Sequence, residues 1–262
     1  MDFQRRQLAP CTDETWEVME EAARDVLTAR LVARRVVDVD GPHGWQFSSV
    51  SEGRVHRPSD SKEETVRFAV RLVSPLIETS TRFELSRGEL DDVARGAPDP
   101  ELAPLEEAAV AAALFEDNAV FRGLEPGCIK GLRDESVHTV AKGSESYLAA
   151  TVKSVDLLQQ QGVGGPYSLV LPSDAWQELV EADPGYPMEK HIEEIIGGTV
   201  IASSSMMDAF VVSLRGGDFV LTLGQDFTLR YCSHTESAIT FDLIESFAFK
   251  AIDPRAIVRI TS

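Results

Sequence analysis

The 262-residue sequence predicts an α+β fold, with helices and antiparallel strands in blocks rather than in alternating βαβ units. Apolar residues recur at helical spacing between residues 12 and 30, 103 and 121, and 144 and 161. From Arg215 to Pro254 the period changes to two, as strands with one buried face require. Between Ser48 and Ser74 two extended segments face each other with little apolar material to bury.

Thr12 is a good N-cap, and Asp13 and Glu14 suit the first turn of a helix. Trp16, Met19, Ala23, Val26 and Leu27 then share one face, so the helix runs to about Arg30. Val36 to Val39 reads as a short strand stopped by Gly41-Pro42 and Gly44. The long hairpin follows. Arg54, His56 and Arg57 flank Val55 on the way out, and Val66, Phe68, Val70 and Leu72 alternate on the way back. An isolated hairpin is marginal in water, so this arm is expected to pack on another chain. Pro98 and Pro100 precede an alanine-rich helix from Ala103 to Phe121. Asp134 to Gly143 has no clear period. Another helix spans Ser144 to Gln161, and Gly162 to Pro166 stops it. Tyr167 to Leu171 reads as a buried strand, Ser173 to Val180 as a helix, and Pro187 opens one more to Ile196. Gly216-Gly217 suggests a tight hairpin. Phe219, Leu221, Leu223, Phe227, Leu229 and Tyr231 alternate after it, and Ile244, Phe247 and Phe249 belong to a last long strand closed by Asp253-Pro254.

The chain is 43% hydrophobic and 26% charged, ordinary for a globular protein. No apolar run approaches the length of a membrane span, and no apolar stretch follows Arg5 and Arg6, so a cytoplasmic protein is expected. Cys11, Cys128 and Cys232 are far apart and read as reduced thiols. A formal net charge of −18 makes free nucleic acid a poor partner. The acidic run from Asp174 to Glu194 reads as a solvated face. Catalytic signatures are missing: there is no Gly-x-Ser-x-Gly, no His-Glu-x-x-His and no phosphate-cradling loop. Arg34 and Asp38 sit four apart, which suggests a local ion pair of under about 1 kcal/mol.

Ordered pieces along the chain carry a resemblance. They include Leu8-Ala9-Pro10, Ala33-Arg34-Arg35-Val36-Val37-Asp38-Val39-Asp40-Gly41-Pro42, Glu89-Leu90-Asp91-Asp92, Phe115-Glu116-Asp117, Phe121-Arg122-Gly123, Gly165-Pro166-Tyr167, Gly185-Tyr186-Pro187 and Gly224-Gln225-Asp226. In this order the chain resembles the encapsulins, which build virus-like shells around cargo enzymes. The resemblance implies the fold of tailed-phage major capsid proteins (Hong Kong ninety-seven type). Residues 1–47 would form an N-terminal helix and arm, and 48–80 an extended loop. Residues 81–131 with 225–262 would form a discontinuous peripheral domain containing a spine helix, and 132–224 an axial domain.

The same resemblance implies a non-enzymatic protomer that assembles in about sixty copies or a multiple, by symmetry. The partners expected are other copies and a cargo enzyme, such as a dye-decolorizing peroxidase or a ferritin-like protein. Leu31, Arg34, Asp38 and Leu229 would receive the cargo's C-terminal peptide. Glu181, Asp183, Gly185 and Tyr186 would lie at a five-fold pore, and Arg54, His56 and Arg57 on the intersubunit loop. Some relatives stack a flavin on a tryptophan where this chain has Arg87, so no cofactor is expected here. A hydrolase and a prophage capsid protein stand as alternatives. A clustered nucleophile and base would favour the first, and a terminase or portal gene nearby the second.

Overall fold

A computed structural model describes residues 3–58, 66–143, 146–181, 187–204 and 206–261. Its architecture follows from one long strand. Strand β11 (Ala238–Ala251) runs through the centre of a five-stranded sheet. Strand β4 (Ile77–Ser86) lies antiparallel along one edge of it. Strands β9 (Phe219–Leu223) and β10 (Thr228–His234) lie end to end along the other edge, and β1 (Asp38–Asp40) adds to β9 in parallel.

The second five-stranded sheet has the order β5 (His138–Ala141), β12 (Ile257–Thr261), β8 (Ala209–Ser213), β6 (Tyr167–Pro172) and β7 (Val200–Ser203). Every residue of β6 and β8 is buried, as continuous apolar runs in a covered sheet should be. Helices α5 (Tyr147–Gln160), α6 (Ser173–Glu181) and α7 (Met188–Ile196) bury their apolar faces in the core of this sheet.

Helix α1 (Asp13–Arg30) begins where Thr12 caps it by accepting the Thr15 N–H. Its apolar face packs with α2 (Arg87–Ala94), β4, β10 and the first half of β11 in one core cluster. Trp16 meets Phe241 edge-on at 5.4 Å between centroids. Helix α3 (Ala103–Arg122) is the spine. Its first half, including Leu105, Ala109 and Ala113, buries in the cluster with α1. Its last turn, with Val120 and Phe121, buries in the core of the second sheet.

Several sequence expectations need correction. Gly216 and Gly217 do have positive φ, but they join β8 of one sheet to β9 of the other and close no hairpin. The true turn is at Thr235, whose N–H donates to the Ala238 carbonyl between β10 and β11. Asp134 to Gly143 contains α4 (Leu132–Glu135) in part and the edge strand β5. That strand pairs in parallel with β12, a contact more than a hundred residues distant that local period cannot reveal. The C-terminal strand β12 therefore belongs to the second sheet, and β9 to the first. The strand expected at Val36 starts at Asp38, after a 3-10 turn at Ala33–Arg35.

Strands β2 (Ser49–His56) and β3 (Val70–Pro75) form the expected arm. A bulge between Ser51 and Val55, with Gly53 at φ 68°, kinks it. Val66 and Phe68, assigned above to the returning strand, lie before its start.

Candidate functional site

The edge formed by β9 and β10 breaks between Gly224 and Phe227. Gly224 crosses so close to the chain that a Cβ there would sit 2.6 Å from both Leu76 Cδ2 and Ser246 Oγ. The break pushes Asp226 and Phe227 out of the sheet towards α1. A cleft of about 350 Å³ opens between them. Its floor is Ala23, Leu27 and Leu31 from the α1 side, with Leu229 and Leu243 from the sheet, all buried. Gln4, Glu20, Arg24, Thr28 and Asp226 form the rim. The N-terminal segment closes one side, because the Tyr231 N–H donates to the Gln4 carbonyl at 2.9 Å. Arg6 lies over the Trp16 ring and pairs with Glu20.

Arg34 forms the inner wall. Its Nε donates to both Glu116 carboxylate oxygens at 3.0 Å, and its Nη1 donates to Asp226 at 2.9 Å. Its Nη2 donates to Glu116 Oε2 at 2.6 Å and to Glu245 Oε1 at 2.7 Å. The guanidinium also stacks near Phe227, 5.2 Å from its centroid. Burial alone would make Arg34 easier to deprotonate, but the hydrogen bonds and charges of its acids more than offset this and keep it cationic. The next acid along α3, Asp117, accepts the N–H groups of Ala33 at 2.8 Å and Val32 at 3.2 Å. It thereby fixes the turn that carries Arg34. Burial pushes its carboxyl up to about 7 despite those bonds.

Leu31, Arg34 and Leu229 thus come together as expected, and Asp38 does not join them. Asp38 lines a separate cleft of about 170 Å³ with Arg35, Ser213 and Gly216, and accepts the Gly217 N–H. The 3-10 turn ends at Arg35, so Arg34 and Asp38 never reach a helical i, i+4 relation. Arg34 pairs instead with acids distant in sequence. Glu116 and Glu245 went unread as site residues. Their signal was an acid inside an apolar run, in an alanine-rich helix and in a phenylalanine-rich strand, where burial forces a partner.

Of the expected pore residues, Glu181 is the exposed last residue of α6, while Asp183, Gly185 and Tyr186 lie outside the described residues. Arg87 opens α2, with its backbone N–H on the Ser237 carbonyl. On the arm, Arg54, His56 and Arg57 are present with Arg67 and Arg71, and among the described residues these four arginines have no ion-pair partner. Phe68 and Val70 are more than half exposed, with Val55, Leu72 and Val73 also open on the same arm. Among the described residues such a surface has no partner.

The fold is that of capsid-forming shell proteins. A virus-like particle protein from Pyrococcus furiosus superposes with a TM-score of 0.67 at 17% identity, over 94% of this chain and 99% of that one. The capsid protein of an empty GTA particle gives 0.57 at 17% identity, over 88% and 89%. A phage-related protein from Bordetella bronchiseptica gives 0.58 at 10% identity, over 93% and 96%. The family is narrower than the fold. The chain belongs to the family described as "Encapsulating protein for peroxidase", which matches residues 1–248. It is 39% identical over 263 residues to the type 1 encapsulin shell protein of Rhodospirillum rubrum, covering 97% of this chain and 94% of that one. It is 34% identical over 261 residues to that of Brevibacterium linens, covering 98% of each. The hydrolase alternative falls with this, since the family is one of shell proteins. The phage alternative retains only the shared fold.

Proposed function

We propose that this chain is the protomer of a closed icosahedral shell of about sixty copies or a multiple, which holds a cargo enzyme and admits small molecules through pores. The arm of β2 and β3 carries this reading. Its apolar side chains are exposed, and its arginines, which have no ion-pair partner among the described residues, stand out on a chain of net charge −18. Both features are satisfied when the arm lies on the acidic surface of a neighbouring copy. The cleft between α1 and β10 receives the C-terminal peptide of the cargo. Its leucine floor suits aliphatic anchors, and its polar rim orients a short peptide backbone. A family described by peroxidase encapsulation makes a peroxidase the first cargo to test, with a ferritin-like protein second. Each tail binds a small surface, and many sites on one shell hold an oligomeric cargo by avidity.

The test is size-exclusion chromatography and negative-stain imaging of the chain expressed alone. Uniform round shells eluting as megadalton particles are expected, and a monomer would overturn the reading. Cargo docking is tested separately by co-expression with a peroxidase that carries or lacks its C-terminal tail. Only the tailed enzyme should co-purify with shells.

A further inference from the structure

The cluster behind the cleft carries chemistry that shell formation does not use. Arg34 faces three acids from three places in the fold: Glu116 on α3, Glu245 on β11 and Asp226 in the break between β9 and β10. Glu116 is 0% exposed and Glu245 is 1% exposed, while the Asp226 side chain keeps 42% of its surface in contact with solvent. The two buried acids accept from the same nitrogen, Arg34 Nη2, at 2.6 and 2.7 Å, so their carboxyl groups are neighbours. Other charges around them are accounted for. Asp117, next along α3, turns to the backbone of Val32 and Ala33, and Glu78, on β4 opposite Ser246, is exposed. On β4 the neighbour of Glu245 is Thr79, whose hydroxyl donates to the Glu245 carbonyl. Among the described residues Arg34 is the one cation paired with either buried acid. One guanidinium compensates one buried carboxylate, and a second full negative charge buried beside the first is disfavoured by both desolvation and like-charge repulsion.

We propose that Glu245 keeps its proton at neutral pH and donates it to the neighbouring Glu116 carboxylate, and that loss of this proton in alkali is a built-in switch that loosens the seam where α3, β11 and the cleft meet. With the proton in place, the buried triad of Arg34, Glu116 and Glu245 is electrically neutral, and the charge of Asp226 is left to the cleft. Without it, the triad carries a net negative charge that only Arg34 holds in place. Burial, followed by the proximity of Glu116, raises Glu245 well above its ordinary 4.5. Proton-dependent stability is therefore full below 4.5 and is lost as pH rises through the folded-state value.

The experiment pairs spectroscopy with substitution in the full chain. Infrared spectra at neutral pH should show the carbonyl band of a protonated, buried carboxyl. The band should persist in Asp117→Asn, which removes the other raised acid, and disappear when Glu245→Gln is added to that variant. The glutamine amide mimics protonated Glu245, donating N–H to Glu116 and accepting from Arg34. Glu245→Gln should accordingly fold, and its thermal midpoint should fall less than the parent's between about pH 6 and about pH 9. A parent lacking the band, a band that vanishes with Asp117→Asn, or a Glu245→Gln midpoint that falls as steeply as the parent's would each overturn the proposal. The Asp117→Asn spectrum decides even if Glu245→Gln does not fold.

Discussion

Arg34 is the residue on which the cleft depends, and its role is structural before it is recognition. Removing it strands two buried acids, so Arg34→Ala should cost about 3–5 kcal/mol, the penalty of breaking a buried ion pair from one side. Chemical denaturation of the purified chain reads this directly. Leu229 is also embedded in the core, so a charge placed there would confuse loss of fold with loss of binding. Thr28 is the better probe: it is exposed on α1 and lines the cleft. Thr28→Trp should fill the groove, leave denaturation unchanged to within about 0.5 kcal/mol, and abolish co-purification of a tailed cargo. Asp38→Ala removes an exposed acceptor in the other cleft and should load cargo as the parent does. If Asp38→Ala blocks loading and Thr28→Trp does not, the peptide sits in the second cleft instead.

The arm and the break in the sheet edge are the elements that matter most. The arm is held by its own ladder and by a return at Leu76, whose N–H donates to the Ser48 carbonyl. Its stability in isolation is small, so its conformation must be fixed by what it lies on. Phe68→Ser with Leu72→Ser should shift elution from shells to small species while circular dichroism stays that of the parent. Replacing Arg54 and Arg71 by Glu should weaken assembly most at low salt, because exposed charges interact over about 10 Å at 0.1 M salt and less above it. Identical assembly of this variant and the parent at every salt concentration would remove the electrostatic part of the reading. At the break, Gly224→Ala pushes a methyl group into Leu76 and Ser246. It should cost about 1–3 kcal/mol by overpacking and reposition Asp226 and Phe227.

For the molecule as a whole, acid has the opposite sign from alkali. Asp242 is buried in the first sheet and accepts from Arg82 at 2.9 Å and from Arg230 at 2.8 Å. Burial pushes its carboxyl up, but the bonds from Arg82, Cys232 and Arg230 outweigh that and hold it well below the usual 3.8. A depressed acid stabilises the fold above its ordinary value and loses that contribution as pH falls through the folded one. Thermal midpoints should thus drop below about pH 4, and Asp242→Asn should be less stable than the parent at neutral pH yet flatter in acid. Across both ends of the pH scale the protein is expected to be most robust in between.

Local sequence was sufficient wherever one residue's neighbours in the chain are also its neighbours in space. Thr12 capping α1, the period of α3, the wholly buried β6 and the exposed arm were all legible, because capping, amphipathicity and alternation are short-range properties. The ordered motifs made the family legible too, since the resemblance runs the length of the chain. Of the four residues it implied would share a site, Leu31, Arg34 and Leu229 line one cleft. What only tertiary structure decided was pairing at a distance. It sent Gly216-Gly217 between sheets instead of round a hairpin, placed β12 beside β5, moved Asp38 to a different cleft, and chose Glu116, Asp226 and Glu245 as the partners of Arg34. A buried charge requires a counter-charge, and the chain's composition states that requirement without an address. The address is set by which strands and helices the two cores bring within hydrogen-bond reach.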